Sequence, residues 1–206
     1  MLKKEYQILK IFSKMPWKGF TFNEIKKYSA KKSKSYLEAV LSKFVKENVI
    51  NREKVGNVIV YRLNIGSRKA LNYVGFIAEY VTWHSKWIPL SDLNEFVSKV
   101  PTRLFITIIT GSYAKNKQTE KSDIDIIIIC DNAMETKKIY AELDHAASIN
   151  IPNIHLYVFK EKEFLEMLQD KSENYGKEAA RNNLIFNGGQ EYYTILAEAI
   201  KNGFNG

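Results

Sequence analysis

Cysteine, proline and long apolar runs are scarce in this chain of 206 residues. The single cysteine, Cys130, excludes an internal disulfide framework. The longest unbroken apolar run, residues 126–130, is far shorter than the about 20 residues that a membrane-spanning helix needs. Lysines interrupt the apolar residues near the amino terminus, so no secretory signal is expected. With 45% apolar residues, the chain is expected to be a globular protein of the cytoplasm.

The positive charge of the chain is concentrated at one end. Residues 1–66 hold 15 lysines and arginines against five acidic residues, a net charge of +10, whereas residues 67–206 hold 16 against 18, a net charge of −2. Such an asymmetry indicates a module that faces a polyanion, joined to a module with a different task.

The basic module has the pattern of three helices and a hairpin. Thr21 or Asn23 is a candidate helix cap, and a third helix is predicted to start at Ser33 or Ser35 because apolar residues then follow at helical spacing. Two β-rich runs surround Gly56 and Asn57, a signal for a short hairpin. This order of elements resembles the winged helix-turn-helix family over residues 1 to about 66.

The resemblance implies DNA binding through the third helix and the wing. It places base edges or phosphates against Lys34, Ser35 and Tyr36, and phosphates against Lys31, Lys32, Arg52 and Lys54. The alternative is that these lysines form a solvated surface and that the fold serves protein interaction or dimerisation only.

Residues 67–90 are predicted to link two modules. Leu71, Val74 and Ile77 fall on one helical stripe. A second stripe, of aromatic residues, is expected to pack against either module or against a second copy of the chain, as in a homodimer.

Residues 91–206 form the second predicted domain. Ser91 is the expected cap of its first helix, and Pro101 is expected to end that helix.

The second domain places a glycine and a serine after one predicted strand and two aspartates at the start of the next. Gly111 and Ser112 follow the apolar run of residues 103–110, where a sharp turn can hold phosphate oxygens. Asp123 and Asp125 stand two apart, so on a strand their Cα atoms lie about 6.5 to 7 Å apart on one face.

Two carboxylates at the start of an otherwise apolar strand indicate a metal site. Like charges about 4 Å apart repel by roughly 4 kcal/mol at an effective dielectric of 20, and a divalent cation reverses this penalty. Oxygen ligands beside a phosphate site favour Mg²⁺ or Mn²⁺ over zinc.

These residues resemble the signature of the DNA polymerase beta nucleotidyltransferase superfamily, in particular its minimal nucleotidyltransferases, over residues 91 to about 168. The resemblance implies an α+β chain in which the winged helix precedes a mixed β-sheet flanked by helices. It also implies that Asp123 and Asp125 bind the metal of a nucleoside triphosphate, with ATP the expected one, while Gly111 and Ser112 hold its phosphates. Lys115, in the turn between the two motifs, would neutralise triphosphate charge. The reaction would move a nucleoside monophosphate to a hydroxyl and release pyrophosphate.

One position departs from the superfamily pattern. The third carboxylate is expected on the predicted strand of residues 153–159, where His155 stands instead. A neutral imidazole can act as a general base near neutral pH, but it is a poor ligand for Mg²⁺. Glu161 or Glu163, just beyond the strand, is an alternative third acid, and binding of nucleotide without turnover is another alternative.

Three functional hypotheses therefore follow from the sequence. The first is a magnesium-dependent nucleotidyltransferase with a DNA-binding winged helix. The second is a DNA-binding regulator whose transferase domain has lost catalysis. The third, implied by the minimal family, is a protein that pairs with a small helical partner as an antitoxin does.

Overall fold

The computed structural model describes residues 4–29 and 33–206. A 3₁₀ turn at Tyr6–Leu9 precedes the helices, which are α1 (Lys10–Lys14), α2 (Phe22–Tyr28), α3 (Lys34–Lys46), α4 (Arg68–Trp83), α5 (Leu90–Ser98), α6 (Gly111–Ala114), α7 (Thr136–Ile149), α8 (Glu161–Gln169), α9 (Tyr175–Arg181) and α10 (Gly189–Lys201). The strands are β1 (Phe20–Thr21), β2 (Ile50–Val55), β3 (Val58–Leu63), β4 (Phe105–Ile109), β5 (Ile124–Cys130), β6 (Ile154–Lys160) and β7 (Leu184–Asn187).

The amino-terminal part contains helices and a three-stranded antiparallel sheet in the order β1-β3-β2. Thr21 caps α2, because its side chain accepts a hydrogen bond from the Glu24 amide while the Glu24 carboxylate accepts one from the Thr21 amide. Ser33 caps α3 through the Tyr36 amide, and β2 and β3 form the hairpin around Gly56. These helix starts and the hairpin confirm the sequence prediction, whereas membership of the winged helix family stays a prediction.

The carboxy-terminal part contains a four-stranded mixed sheet in the order β6-β5-β4-β7, with helices packed on it. β5 and β6 are parallel, while β4 runs antiparallel to both β5 and β7. The predicted mixed sheet is therefore confirmed. β5 is buried from Ile126 to Cys130, which explains its run of isoleucines, since a strand covered on both faces needs apolar residues at every position.

The first helix of this part corrects one detail of the sequence prediction. Ser91 is expected to cap α5, but the helix begins at Leu90 and the capping position is held by Pro89, which provides no side-chain cap. The helix ends at Ser98, three residues before Pro101, which is expected to end it.

The linking helix α4 packs against elements from both parts of the chain, namely α1 on one side and β7 and α10 on the other. Gly75 lies so close to the backbone of Gly189 that a Cβ there would meet its carbonyl carbon at 2.7 Å. One cluster of buried residues includes Phe12 and Leu37 from the amino-terminal part together with Ile108 and Tyr192 from the other part. The division of the chain into domains at residues 66 and 90 stays a prediction.

Among the described residues, no helix is both long and apolar enough to cross a membrane.

Candidate active site

The predicted site residues collect at one end of the four-stranded sheet. β4 ends at Ile109, and the amide of Thr110 still donates to the backbone oxygen of Asp125 at 2.9 Å. Because β5 and β6 both run antiparallel to β4, their first residues lie at the end where β4 stops. The turn that follows β4 therefore meets the starts of β5 and β6.

Gly111 brings the backbone against the carboxylate of Asp125. Its φ of +65° lies in the left-handed region, and a Cβ built on it would stand 2.0 Å from Asp125 Oδ2. Only glycine allows both this conformation and this approach. Ser112 follows at the start of α6, and no residue in the described part of the chain hydrogen-bonds its hydroxyl. The turn therefore offers a hydroxyl beside a half-buried carboxylate.

Asp123 lies one residue before β5 and is exposed. The sequence prediction places it within the strand, but the structure begins the strand at Ile124. Burial raises the pKa of the Tyr113 hydroxyl, and the negative charge of Asp123 raises it further. Tyr113 belongs to α6, so the negative charge of Asp123 acts on a residue of the helix that follows β4.

His155 stands beside Asp125 on the neighbouring strand. The two residues are paired in the parallel register of β5 and β6, and His155 Nδ1 lies 3.2 Å from Asp125 Oδ1. The Tyr157 hydroxyl is 3.4 Å from the same nitrogen. More than half of the His155 side chain is exposed, at 59%. The imidazole is thus both next to the carboxylate and open to a ligand.

Glu161 and Glu163 lie at the wrong end of β6 to replace the third acid. His155 is near the start of this strand and both glutamates follow its last residue, which is about 16 Å away at 3.3 Å per residue. Glu163 instead accepts a hydrogen bond from the Lys160 amide at 2.8 Å and caps α8. The structure therefore does not support either glutamate as a third acid.

Helix α9 supplies two site residues that the sequence analysis missed. Glu178 Oε1 accepts from Lys115 Nζ at 3.3 Å, so the predicted phosphate-binding lysine is tied to an acid. The Tyr175 ring lies 4.5 Å from the Tyr157 ring between centroids. Burial raises the pKa of the Tyr175 hydroxyl well above its ordinary value, with Tyr157 and Asp125 raising it further. The only sequence signal was the spacing of Tyr175 and Glu178, three residues apart on one helical face.

The acidic residues at this sheet end fit a cation that arrives with a nucleotide. No group of three or more histidine, cysteine, aspartate or glutamate side chains gathers for a metal within residues 4–29 and 33–206. Mg²⁺ typically needs only one or two carboxylates from the protein, since substrate phosphates and waters complete its shell. Asp123 and Asp125 meet this requirement, and the Asp125 carboxylate occupies the space that a side chain at Gly111 would take.

The candidate DNA-binding residues form two exposed groups. Lys34 and Ser35 are exposed in the first turn of α3, whereas Tyr36 is half-buried against the core. Arg52 and Lys54 are exposed on β2. Their side chains lie on the same face of the strand as Ile50, which is buried in the core. Lys31 and Lys32 lie outside the described residues.

The acidic residues of the amino-terminal part are all engaged by cations. Their partners, at distances from 2.7 to 3.9 Å, are Lys43 for Glu5, Lys18 for Glu24, Lys34 for Glu38, Lys43 and Lys69 for Glu47, and Arg62 for Glu53. Within the described residues, the cations left without an ion pair include Lys10, Lys14, Arg52 and Lys54. Cations that no acidic side chain neutralises therefore lie on α1 and on β2, where they can attract an anionic ligand.

Comparison with known proteins supports a nucleotidyltransferase domain in this chain. The family model described as "Nucleotidyltransferase domain", of the polymerase beta superfamily, matches residues 93–181. The match includes the Gly111 turn, both aspartates, His155 and α9. No curated protein matches the chain.

Proposed function

We propose that this chain transfers a nucleoside monophosphate from a nucleoside triphosphate, ATP in the first instance, to a hydroxyl group. The observation that carries the proposal is the contact between the Gly111 turn and Asp125, since a Cβ would fall 2.0 Å from the carboxylate oxygen. A turn that can hold phosphates and a carboxylate that can hold a cation then serve the same ligand. The match to the nucleotidyltransferase family supports this reaction class.

In this proposal, Asp123 and Asp125 hold Mg²⁺ or Mn²⁺, and Gly111 and Ser112 bind the triphosphate. The cation, when bound, neutralises charge on the transferred phosphoryl group and on the leaving pyrophosphate. Lys115 contributes positive charge once it exchanges Glu178 for phosphate. Exposed lysine–glutamate pairs contribute at most about 1 kcal/mol, so this exchange costs little.

His155 is the proposed acceptor of the proton from the attacking hydroxyl. It occupies the position beside Asp125 where the superfamily resemblance places a third acid, and an imidazole can take up a proton near neutral pH. The Asp125 carboxylate lies 3.2 Å from Nδ1 of this imidazole, so the proposed proton acceptor stands next to the proposed metal ligand.

Titration calorimetry with Mg-ATP tests the binding part of this proposal. Wild-type protein is expected to bind Mg-ATP, and Asp125→Asn is expected to lose most of this affinity. Asp131→Asn is the matched control, because Asp131 follows the other end of β5 and its side chain accepts from the Ala133 amide, which asparagine can also do. Absence of binding to the wild type would remove the proposal.

Transfer itself is tested with ATP labelled on the α-phosphate, using candidate RNA and protein acceptors. Label on an acceptor, absent with Asp125→Asn and kept with Asp131→Asn, is the expected outcome.

A second candidate function is DNA-binding regulation by a chain whose transferase domain has lost catalysis. It is favoured by the histidine in place of the third acid and by Arg52 and Lys54, which have no acidic partner among the described residues. Salt-sensitive binding to duplex DNA, with no transfer to any acceptor, would support this function over the first.

A further inference from the structure

A cavity lies between the amino-terminal part and the nucleotidyltransferase domain. Its volume is about 450 Å³, within the range of sites for small ligands. Lys10 and Lys14 of α1 line one side, and Arg181 and Asn182 from the end of α9 line another. The Tyr193 hydroxyl donates to the backbone oxygen of Ser13 at 2.5 Å, which fixes α1 against α10 at the cavity wall.

The charge of the cavity is one-sided. Three of its lining residues are cationic, and none of the described residues that line it is acidic. Arg181 is held by Glu173 at 2.6 and 2.8 Å, but among the described residues no acid pairs with Lys10 or Lys14. Every glutamate of the amino-terminal part forms its ion pair with a lysine or arginine other than Lys10 and Lys14. The ammonium groups of Lys10 and Lys14 can therefore bind an anion. Two uncompensated charges at the rim of a concave site attract phosphate.

The rest of the lining fits a nucleotide better than a simple anion. Met15, Val81 and Leu184 supply apolar wall against which a flat ring can pack. The side chain of Asn182 has no hydrogen bond to any described residue, so its amide can bond the polar edge of a base or a sugar hydroxyl.

The cavity lies at the same end of the sheet as the candidate active site. Leu184 pairs with Ile109, two residues before Gly111, and Ala114 at the end of α6 is also part of the lining. The Thr110 hydroxyl donates to the backbone oxygen of Asn182 at 3.1 Å. Since the strand order is β6-β5-β4-β7, His155 and Asp125 lie on one side of the Gly111 turn and the cavity lies on the other.

We propose that this cavity binds a phosphate-bearing nucleotide unit, which is the acceptor of the transferred group. Its function as an acceptor site rests on the proposed transferase activity, whereas nucleotide binding in the cavity does not. The phosphate contacts Lys10 and Lys14, and the hydroxyl to be modified points past α6 toward Asp125 and His155. The amino-terminal part then contributes directly to the choice of substrate.

The test measures binding of two probes, 5′-AMP and a 5′-phosphorylated RNA dinucleotide, in the presence of a chelator that removes divalent cations. Without the cation the triphosphate site is not expected to retain them. The double variant Lys10→Gln/Lys14→Gln is expected to bind at least about tenfold more weakly, since each charge-assisted contact is stronger than a neutral one. Its binding should also depend less on salt than that of the wild type, since salt screens the attraction between the lysines and the phosphate.

The matched control is Lys137→Gln/Lys138→Gln, which removes two exposed lysines of α7 that do not line the cavity. This control should bind the probes as the wild type does. Asn182→Asp provides a second test, because it places a negative charge in the cavity with almost no change in volume and should also weaken binding. Asp125→Asn should keep probe binding, so a failure of the transferase proposal can be told from a failure of this one.

The inference is overturned if the wild type binds neither probe or if Lys10→Gln/Lys14→Gln binds both as tightly as the control does. Equal affinity for the two probes would identify a free mononucleotide as the ligand, and preference for the dinucleotide would identify the end of an oligonucleotide.

Discussion

The end of the four-stranded sheet and the hairpin of β2 and β3 use charge in opposite ways. At the sheet end, the half-buried Asp125 carboxylate lies 3.2 Å from the exposed His155 and in contact range of the Gly111 backbone. On the hairpin, Arg52 and Lys54 are exposed and have no acidic partner in the described part of the chain. Ligand binding at the sheet end should depend on the exact positions of the groups there. Ligand binding on the hairpin should depend on the number of positive charges and on the salt concentration.

The two regions should differ most in how they respond to replacement of a glycine by alanine. Gly111 and Gly56 have nearly the same φ, +65° and +59°, but a Cβ at Gly56 meets no described atom within 4 Å. Both alanine variants should lose about 1 to 2 kcal/mol of folding free energy from the left-handed conformation. Only Gly111→Ala should also lose Mg-ATP binding and transfer, by about 10²-fold or more, because its methyl group displaces Asp125.

Chemical denaturation and calorimetry on both glycine variants measure these effects. If Gly56→Ala reduced nucleotide binding as much as Gly111→Ala does, the loss would reflect global stability and the special geometry of the sheet end would be refuted.

The next prediction concerns the imidazole at the sheet end. His155→Ala should lower the transfer rate by about 10²-fold, the ordinary contribution of a general base, with little change in Mg-ATP affinity. His155→Asp restores the acid that the superfamily resemblance implies, so it should recover activity that His155→Ala lacks. Equal rates for wild type and His155→Ala would exclude the histidine from proton transfer.

The hairpin should show a smaller, salt-dependent effect. Arg52→Gln/Lys54→Gln is expected to weaken binding to duplex DNA and to reduce the log–log salt slope by about 0.9 for each phosphate that the variant no longer neutralises. Mg-ATP binding should not change. Fluorescence anisotropy at several salt concentrations measures the slope. Lys10→Gln/Lys14→Gln is the useful comparison, since it removes the same charge from the cavity; an equal loss of DNA affinity in that variant would contradict a specific DNA surface on the hairpin.

The smallest expected effect concerns the stability of the amino-terminal part. Thr21→Ala removes the side-chain cap of α2 and should cost about 1 kcal/mol in urea unfolding at neutral pH. The pKa of Glu24 is lowered, first by the hydrogen bond from the Thr21 amide and then by the Thr21 hydroxyl. A lowered carboxyl pKa contributes stability above the ordinary glutamate range and loses it as the pH falls through the folded value.

Glu24→Gln should therefore be less stable than the wild type at neutral pH, and the difference should shrink in acid. A difference that grew as the pH fell would contradict the proposed carboxylate cap. Neither Thr21→Ala nor Glu24→Gln should change Mg-ATP binding, because α2 is remote in the chain from the Gly111 turn.

The local elements of this protein could be predicted from sequence because their signals are local. Ser33 and Thr21 cap the helices as their side chains predict, and the hairpin turns at Gly56. The mixed sheet followed from the resemblance carried by Gly111, Ser112, Asp123 and Asp125. The proline at the start of α5 was a harder case, because Ser91 has the residue type of a cap but the helix begins one residue before it.

The contacts between distant segments could not be predicted in the same way. Nothing local to residues 175–178 shows that Tyr175 lies against Tyr157 or that Glu178 holds Lys115, because these contacts form only when α9 packs beside the sheet end. The cavity of Lys10 and Lys14 likewise requires α1, α4 and β7 to meet.

By itself, the sequence determined which residue types stand at the Gly111 turn and where the basic charge is concentrated, since periodicity, capping and composition act over a few residues. The tertiary structure alone decided that His155 faces Asp125, that Glu161 and Glu163 lie at the far end of β6, and that two lysines border a cavity next to α6. The physical reason is that such meetings depend on strand order and helix packing, which bring together segments separated by up to 180 residues, as in the hydrogen bond between Tyr193 and Ser13.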